Sequence, residues 1–349
     1  MPETMKALVK PRPGAGVELQ DVPVPRPGPD ELLLKVRAAS ICGSDIHIHN
    51  WNTWAASRIK TPIVFGHEFA GEVVEVGPQV RGFRRGDRVS AESHIYCGVC
   101  YQCRTGYAHI CSRLEILGVD RSGGFAEYAV IPERVAWKNP PERPWEICSL
   151  LEPMGNSVYA TLVEEVAGQS VVVTGCGPTG LFAIGIAKAC GAGPVIAVEK
   201  LAYRREMAQR MGADLVLDSD GSDTGEKIRE ATASRGGADV VLEMSGHPLA
   251  IRRGFEVVRK GGRFTAFGLP SDKITLDLAN DVIFKGIRIY GINGREVFRT
   301  WYRLAGLLES GHFDPRPVIT HTIALRDYKQ AFDSLTAPER KCGKVILVP

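Results

Sequence analysis

The pattern of hydrophobic residues divides the chain into two regions with different predicted structure. In the first region, apolar runs of strand length alternate with Gly and Pro, as in ELLLKVRAAS, EFAGEVVEVG and GDRVSAESH. Such runs predict short β-strands in an antiparallel, barrel-like domain. After Pro153 the runs SVVVTG, PVIAVE, ADVVLEMSG, GGRFTAFG and GIRIYGI predict buried strands, and PTGLFAIGIAKACG predicts a helix between the first two. This alternation predicts a doubly wound parallel sheet, so the expected fold class is α/β.

The pattern near the C-terminus predicts one further helix and a final strand. Within EVFRTWYRLAGLLESG, helical spacing gives an apolar face made of Val297, Trp301, Leu304 and Leu308, and Gly311 ends the helix. The segment GKVILVP predicts a strand that returns to the first domain. At 349 residues the chain exceeds the usual size of a single core. We expect a first domain of residues 1–154 and 296–349, and a second of residues 155–295.

Charge and cysteine content exclude several classes of protein. The 43 basic and 40 acidic residues give a formal charge of +3, which is too small and too mixed to indicate nucleic-acid binding. No apolar run reaches the ~18 residues of a membrane span, and the start MPETMKALVK lacks the apolar core of a signal peptide. The 9 cysteines, mostly clustered, predict metal ligands and buried thiols in a reducing cytoplasm rather than disulfides.

A cluster of cysteines occurs in the segment CGVCYQCRTGYAHIC. It contains Cys97, Cys100, Cys103 and Cys111, with gaps of two, two and seven residues. This spacing suits a tetrahedral cage of thiolates around one Zn²⁺. Because a closed cage leaves no position for a substrate, we expect a structural zinc lobe over about residues 94–115 and a reaction elsewhere.

The segment VVVTGCGPTG carries a glycine motif directly after a predicted strand and at the start of a helix. Gly175, Gly177 and Gly180 have G-x-G-x-x-G spacing, and Pro178 and Thr179 complete the loop. The first Gly allows the turn, the second allows a pyrophosphate to approach, and the third allows the helix to pack on the strand. The helix N-terminus then offers free N–H groups to the phosphates. The motif predicts a dinucleotide site.

An acidic residue closes the next predicted strand. Glu199 lies 19 residues after Gly180, where a carboxylate can accept both hydroxyls of an adenosine ribose and repel a 2′-phosphate. This position favours NAD over NADP. The alternative interpretation is that Glu199 is only a solvated residue at the end of a strand and has no role in cofactor binding. We expect Arg204 to join the cofactor site, and the basic residues Lys200, Arg204 and Arg205 leave NADP open.

Three further segments carry side chains that can bind a metal ion. They contribute Cys42, Ser44, Asp45 and His47 in ICGSDIHIH, His67 and Glu68 in VFGHEFAGEVVEVG, and Glu152 in LLEPMGN. Singly, each has a structural alternative, since a lone Cys is usually a core residue and a lone His is often a satisfied polar group. Together they supply the ligand types that zinc takes, and three protein ligands would leave a position open for catalysis.

These motifs occur in the order of a known family. GHEFAGEVVEVGPQV fits the G-H-E-x2-G-x5-G-x2-V pattern of the zinc-dependent medium-chain alcohol dehydrogenases, and the Cys-x-x-Asp at 42–45, the four-cysteine lobe and the glycine loop follow in family order. The resemblance runs essentially from end to end. It implies a GroES-like β-barrel catalytic domain, a Rossmann domain that binds NAD, and about two Zn²⁺ per subunit, one catalytic and one structural.

One branch of that family is the most similar. SICGSDIHIHNWNTWAASRIKTP resembles the L-threonine 3-dehydrogenases, which carry a similar Trp-Asn-x-Trp-Ala insert, and ESHIYCG, EPMGNSVYA, FKGIRIYGINGRE and TWYRLAGLLESG resemble them as well. The resemblance implies oxidation of L-threonine by NAD to L-2-amino-3-ketobutyrate, and a homotetramer. Departures are mild: Ser44 stands where Thr is common, His49 where Tyr is common, and Cys176 lies within the glycine loop.

The resemblance also implies a role for each site residue. Cys42, His67 and Glu68 would bind the catalytic zinc, and Glu152 would lie at or just beyond the metal, where it can exchange with substrate. Asp45 would orient the imidazole that binds zinc.

The same resemblance implies residues for proton transfer and residues for substrate binding in the first domain. Ser44 would pass the departing proton through the nicotinamide ribose to His47. His94 would line the substrate pocket together with Glu152. His49 has no implied task and is expected to form a pocket wall or to face solvent.

Three alternatives compete with this interpretation. A polyol or 2,3-butanediol dehydrogenase shares the zinc site and the glycine loop, but the insert at 51–54 and the segment TWYRLAGLLESG favour threonine. A zinc-less quinone-reductase-like enzyme or a binding protein of similar fold would not need a complete set of Cys42, Asp45, His67 and Glu68.

Overall fold

The computed structural model describes residues 2–270, 272–337 and 339–349. The strands are β1 (Thr4–Lys10), β2 (Glu18–Pro23), β3 (Glu31–Ser40), β4 (Ile63–Val64), β5 (Glu68–Val76), β6 (Arg88–Ala91), β7 (His94–Ile95), β8 (Glu115–Ile116), β9 (Tyr128–Pro132), β10 (Ala136–Lys138), β11 (Val171–Thr174), β12 (Val195–Glu199), β13 (Leu215–Asp218), β14 (Ala238–Glu243), β15 (Val258–Ala266), β16 (Arg288–Gly291), β17 (Ile319–Ala324) and β18 (Lys344–Val348).

The α-helices alternate with these strands mainly in the second half of the chain. They are α1 (Gly43–Asn50), α2 (Thr53–Arg58), α3 (Tyr101–Arg104), α4 (Trp145–Ser149), α5 (Leu151–Leu162), α6 (Pro178–Ala189), α7 (Ala202–Arg210), α8 (Thr224–Ala231), α9 (Pro248–Val257), α10 (Arg299–Glu309) and α11 (Tyr328–Thr336). In α10, Trp301 and Leu304 are buried as the periodicity predicts. Within the described ranges, no helix has the length and apolar character needed to cross a membrane.

The chain folds as two compact units. The first contains Met1–Pro153, Ile319–Pro338 and Lys344–Pro349, and the second contains Met154–Val318 and Glu339–Gly343. The sequence pattern assigns residues 296–318 to the first domain, whereas the structure groups them with the second. The reason is packing: Phe313 is buried, and its ring lies 6.4 Å from that of Phe182 in α6, in an edge-on arrangement.

The first unit is built on a largely antiparallel sheet. Its strand order is β10-β6-β5-β3-β18-β17, with β9 also paired to β3. The strand β18 pairs with β3 antiparallel and with β17 parallel, so the end of the chain returns to the first unit as predicted. The register places Ser40 opposite Glu68 and also opposite Ile346. The end of β3 and the starts of β5 and β18 therefore meet at one place, which is where the predicted zinc ligands lie.

The second unit contains a six-stranded parallel sheet with the order β13-β12-β11-β14-β15-β16. Counted along the unit, this is the 3-2-1-4-5-6 order of the Rossmann fold, as the alternation of strands and helices predicts. Its central strands are fully buried because apolar side chains cover both faces. The ligand site of such a sheet lies at the carboxyl ends of the strands where the order reverses, here at β11 and β12.

Candidate active site and cofactor site

Three of the predicted zinc ligands lie together in the first unit. Cys42 caps the N-terminus of α1, and His67 and Glu68 stand at the start of β5. Their ligand atoms all lie within 4.8 Å of one another, and both His67 and Glu68 are buried. A thiolate, an imidazole and a carboxylate at this spacing are a donor set that zinc accepts, with a further position left for a substrate.

The carboxylate of Glu68 has one satisfied and one unsatisfied oxygen. Its Oε2 atom accepts hydrogen bonds from Ser40 Oγ and from Lys344 Nζ. Its Oε1 atom is buried and has no hydrogen-bond partner among the described residues. A buried carboxylate oxygen without a partner is costly, and a metal ion held with Cys42 and His67 would satisfy it. These residues therefore fit a zinc ion that Glu68 would bind through Oε1.

Asp45 connects the other two ligands. It is fully buried, its Oδ2 atom accepts the Cys42 N–H at 2.8 Å, and its Oδ1 atom lies 3.6 Å from His67 Nδ1. Burial by itself lowers the pKa of His67, but the negative charges of Asp45 and Cys42 outweigh it and raise that pKa well above its usual value. The cluster thus favours a positive charge, and zinc would take the place of the proton because a ligating imidazole is neutral.

Glu152 and His94, the predicted substrate residues, are both buried in the first unit. The Oε1 atom of Glu152 accepts a hydrogen bond from Ser93 Oγ at 2.7 Å. The backbone N–H of His94 donates to Glu92 Oε1 at 2.9 Å, which fixes the start of β7. Glu152 is not one of the three clustered ligands, but its charge acts on Lys344, whose ammonium contacts Glu68.

Ser44 and His47 lie one turn apart on α1, the helix that Cys42 begins. Residues three apart share a helix face, so a proton can pass between such side chains directly or through one intervening group. His47 is exposed and can release a proton to water. His49 is half-buried, and its ring stacks on that of Phe332 in α11 with 4.8 Å between the ring centroids.

The four-cysteine lobe has the dimensions of a tetrahedral zinc site. Zn–S bonds of about 2.3 Å require sulfur–sulfur separations of about 3.8 Å. The Sγ atoms of Cys100 and Cys103 are 3.4 Å apart, those of Cys100 and Cys111 are 3.7 Å apart, and those of Cys97 and Cys103 are 3.9 Å apart. These distances are far longer than the ~2.05 Å of a disulfide, and the four thiols are free.

Backbone N–H groups in the lobe point at the sulfur atoms. Cys97 N–H donates to Cys111 Sγ at 3.4 Å, and Arg113 N–H donates to the same sulfur at 3.3 Å. Backbone N–H groups of Cys103 and Ser112 lower the pKa of the Cys100 thiol to about 5, whereas burial and the neighbouring Cys100 raise the pKa of Cys103 to about 12. Without a metal ion the four thiols do not all ionise near neutral pH, and a zinc ion would allow all four to bind as thiolates.

In the second unit, each glycine of the dinucleotide loop meets a different requirement. Gly175 has φ 87°, which only glycine adopts readily, and a Cβ on Gly180 would lie 2.0 Å from Gly175 O. Near Gly177 the space is open, since the nearest heavy atom to an added Cβ would be Arg204 Nη1 at 3.9 Å. Pro178 and Thr179 begin α6. The open approach over Gly177 and the free N–H groups of this helix start fit a pyrophosphate.

Glu199 faces a cavity of about 170 Å³ at the end of β12. Its Oε2 atom accepts the Cys176 N–H at 2.7 Å, and its Oε1 atom accepts the Leu201 N–H at 2.9 Å. Each carboxylate oxygen has two lone-pair sites, so each retains one acceptor site for a ribose hydroxyl. The carboxylate is held rigidly in place, and the cavity fits an adenosine ribose.

Two of the three basic residues that left NADP open are already paired with acids. Arg205 lies 2.8 Å from Asp218, and Lys200 lies 3.1 Å from Asp220. Arg204 is the remaining cation, and its Nε atom is buried without a hydrogen-bond partner in the described part of the chain. Its guanidinium beside the glycine loop therefore fits a phosphate of the dinucleotide backbone better than a 2′-phosphate.

Comparison with known proteins agrees with this geometry. Residues 28–141 match the family model of the alcohol dehydrogenase GroES-like domain, and residues 178–310 match that of the zinc-binding dehydrogenases. The chain is 47% identical to an L-threonine 3-dehydrogenase of Bacillus velezensis over 99% of both chains. It is 48% identical to one of Pyrococcus horikoshii, over 100% of this chain and 99% of that one. The crystal structure of 2R,3R-butanediol dehydrogenase from Bacillus subtilis superimposes with a TM-score of 0.89 at 29% identity, over 99% of both chains.

The chain belongs to the zinc-dependent medium-chain alcohol dehydrogenase family. Membership confirms the predicted α/β fold with a GroES-like domain and a Rossmann domain.

Four residues around the zinc and cofactor sites are not predicted by the sequence pattern: Ser40, Ser93, Glu243 and Lys344. Glu243 ends β14, and its carboxylate accepts hydrogen bonds from Gly246 and from Ser245, which lines the ribose cavity. The sequence offers one local sign that Lys344 has a role, which is its position as a charged residue within the apolar segment GKVILVP. A lysine in a buried strand needs a partner of opposite charge.

The structural lobe gives a prediction that is separate from catalysis. Cys100→Ser removes one sulfur of the cage, and we expect the loss of about one zinc per chain together with a lower melting temperature, because structural zinc contributes folding free energy. Metal analysis and thermal unfolding measure both effects. A Cys100→Ser protein with full metal content and unchanged stability would show that the lobe is not a zinc cage.

Proposed function

We propose that the protein oxidises the secondary hydroxyl of L-threonine with NAD, giving L-2-amino-3-ketobutyrate. The observation that carries this proposal is the whole-length identity of 47% and 48% to enzymes named L-threonine 3-dehydrogenase, against 29% to the butanediol dehydrogenase. A steady-state comparison of L-threonine with serine, sorbitol and 2,3-butanediol, each with NAD, tests it.

Cys42, His67 and Glu68 would hold the catalytic zinc, with Glu152 close by. When bound there, zinc supplies a Lewis acid that makes a hydroxyl proton acidic near neutral pH, as the fall of ~15.7 to ~7 for bound water illustrates. NAD supplies the hydride acceptor. Asp45 holds His67 and the Cys42 backbone, so the ligands are oriented before substrate binds.

The proton of the substrate hydroxyl leaves along α1. Ser44 is only partly exposed, and its hydroxyl would accept the substrate proton while it passes its own proton on toward His47. The imidazole of His47 would then release a proton to water from the exposed side of the helix. An imidazole suits this task because its usual pKa lies near neutral pH.

The buried acids and imidazole suit an amino acid better than a polyol. L-Threonine carries an ammonium and a carboxylate next to its hydroxyl. Glu152 lies buried in the first unit and can pair with the ammonium, and His94 can donate to a substrate oxygen. A polyol offers neither charge, so it would gain no ion pair from a buried carboxylate.

NAD is the proposed cofactor, with Gly175, Gly177, Pro178, Thr179, Gly180, Glu199 and Arg204 as its binding residues. We expect Glu199→Ala to narrow the preference for NAD over NADP by roughly tenfold to hundredfold, since charge-assisted hydrogen bonds contribute about 1.5–3 kcal/mol. The ratio of kcat/KM values for the two cofactors measures it. Glu230→Ala is the matched control, because it removes an exposed acid of α8 that does not line this cavity. Comparable use of NADP by the unmodified protein would contradict the role of Glu199.

We also propose a homotetramer in the cytoplasm. The edge strand β16 of the parallel sheet is exposed, and apolar side chains beside it, including Ile283, Phe284 and Ile289, face solvent in the single chain. Exposed edges and apolar patches of this kind are usually covered by a partner. Light scattering tests the tetramer by giving the mass as a multiple of 38.0 kDa. The clustering of four of the 9 cysteines at metal-ligand spacing supports a reducing compartment.

A further inference from the structure

Lys344 is a buried cation directly beside the proposed catalytic zinc site. It begins β18, and its side chain is 3% exposed. Its Nζ atom donates to Ile41 O at 3.2 Å and to Glu68 Oε2. A lysine is rarely fully buried unless it is paired, so the pair with Glu68 is the reason the fold tolerates it.

The contact divides the two oxygens of Glu68 between two tasks. Ser40 Oγ and Lys344 Nζ both bind Oε2, whereas Oε1 has no hydrogen-bond partner in the described ranges. Oε1 is therefore the atom available to a metal ion held with Cys42 and His67. In this arrangement the carboxylate offers one oxygen to the metal and not two.

The charges around the site make Lys344 the natural counterion. Cys42, Asp45 and Glu68 place three acidic groups in and around the ligand set, and Zn²⁺ would neutralise only part of their charge. The Lys344 ammonium is held between Glu68 Oε2 and Ile41 O, so it stays beside Oε2.

We propose that Lys344 is a positioning residue that restricts Glu68 to one-oxygen coordination and so keeps a zinc position open for the substrate. This inference rests on the proposed function, because it assigns Glu68 to a catalytic zinc. Without Lys344, only the Ser40 hydroxyl would hold Oε2, and this oxygen could turn toward the metal as well. Two-oxygen coordination would then occupy the position that the substrate hydroxyl needs.

The test compares Lys344→Met with Lys344→Arg in the full-length protein. Methionine fills similar space without charge or donor, and arginine keeps both. We expect Lys344→Met to retain about two zinc ions per chain but to lose 10–100-fold in kcat/KM for L-threonine, and Lys344→Arg to recover most of it. In cobalt-exchanged protein, Lys344→Met should show weaker d–d absorption than the parent, because the bands of cobalt weaken as its coordination number rises. The difference spectrum cancels any cobalt in the four-cysteine lobe.

The outcomes separate this inference from the proposed function. A parent protein that holds only the zinc of the four-cysteine lobe would overturn both. A parent with both zinc ions and an unchanged cobalt spectrum in Lys344→Met would overturn the role of Lys344 alone. If Lys344→Met does not fold, Lys344→Gln decides, since it removes the charge and shortens the side chain by one atom but keeps a polar group at the buried position. A partial weakening of the cobalt bands in that variant supports the inference, and an unchanged spectrum overturns it.

Discussion

Replacing Cys42 with serine is expected to lower kcat/KM for L-threonine by at least ~1,000-fold, because Lewis-acid stabilisation contributes several kcal/mol and each 1.36 kcal/mol is a factor of ten. The thiolate is the softest of the three clustered ligands, and a neutral hydroxyl replaces it poorly. Steady-state kinetics and metal analysis on the same preparation measure the effect. The zinc content should fall from about two to about one per chain.

Cys190→Ser is the matched control for that prediction. Cys190 is a partly buried thiol at the end of α6 and belongs to neither metal cluster. We expect this variant to keep both zinc ions and the parent rate. A Cys42→Ser protein with both zinc ions and full activity would mean that the cluster of Cys42, His67 and Glu68 is not the catalytic centre.

The second large effect concerns the substrate. A site built for polar groups rejects analogues that lack them, because its own buried groups are left unpaired. With Glu152 and His94 buried in the first unit, we expect kcat/KM for L-threonine to exceed that for 2-butanol or sorbitol by at least ~100-fold. His94→Ala should lower the value for L-threonine more than that for 2-butanol, which narrows the ratio.

His312→Ala serves as the control for His94→Ala, because His312 is exposed and lies outside both sites. It should leave the kinetics with both substrates unchanged. Equal losses with L-threonine and 2-butanol in His94→Ala would assign His94 to the scaffold instead of the substrate pocket.

The parts of the site that depend on local sequence were the predictable ones. The glycine loop needs a tight turn, space for the pyrophosphate and close packing of helix on strand, all within a few residues. Each of these requirements is met by a glycine, so the three glycines occur at a fixed spacing. His67 and Glu68 are neighbours in the chain, and Cys42 begins a helix that carries Asp45, Ser44 and His47. Motifs of this kind are visible because neighbouring residues share one element.

The parts that depend on strand pairing were not predictable. Lys344 meets Glu68 across 276 residues of sequence, and Ser93 meets Glu152 across 59. Nothing local encodes these contacts: the first follows from the place of β18 beside β3 in the sheet, and the second joins the residue before β7 to α5. The boundary expected at residue 296 differs from that of the structure for the same reason, since Phe313 packs on Phe182 far away in the chain.

The substrate selectivity of the unmodified protein is the most direct test of whether this dehydrogenase acts on L-threonine. The measurement is kcat/KM with saturating NAD for L-threonine, sorbitol and 2,3-butanediol, on protein with a known zinc content. We predict that kcat/KM for L-threonine exceeds the values for both alcohols by at least ~100-fold. A higher kcat/KM for sorbitol or 2,3-butanediol than for L-threonine would contradict it and assign the chain to the polyol or butanediol dehydrogenases.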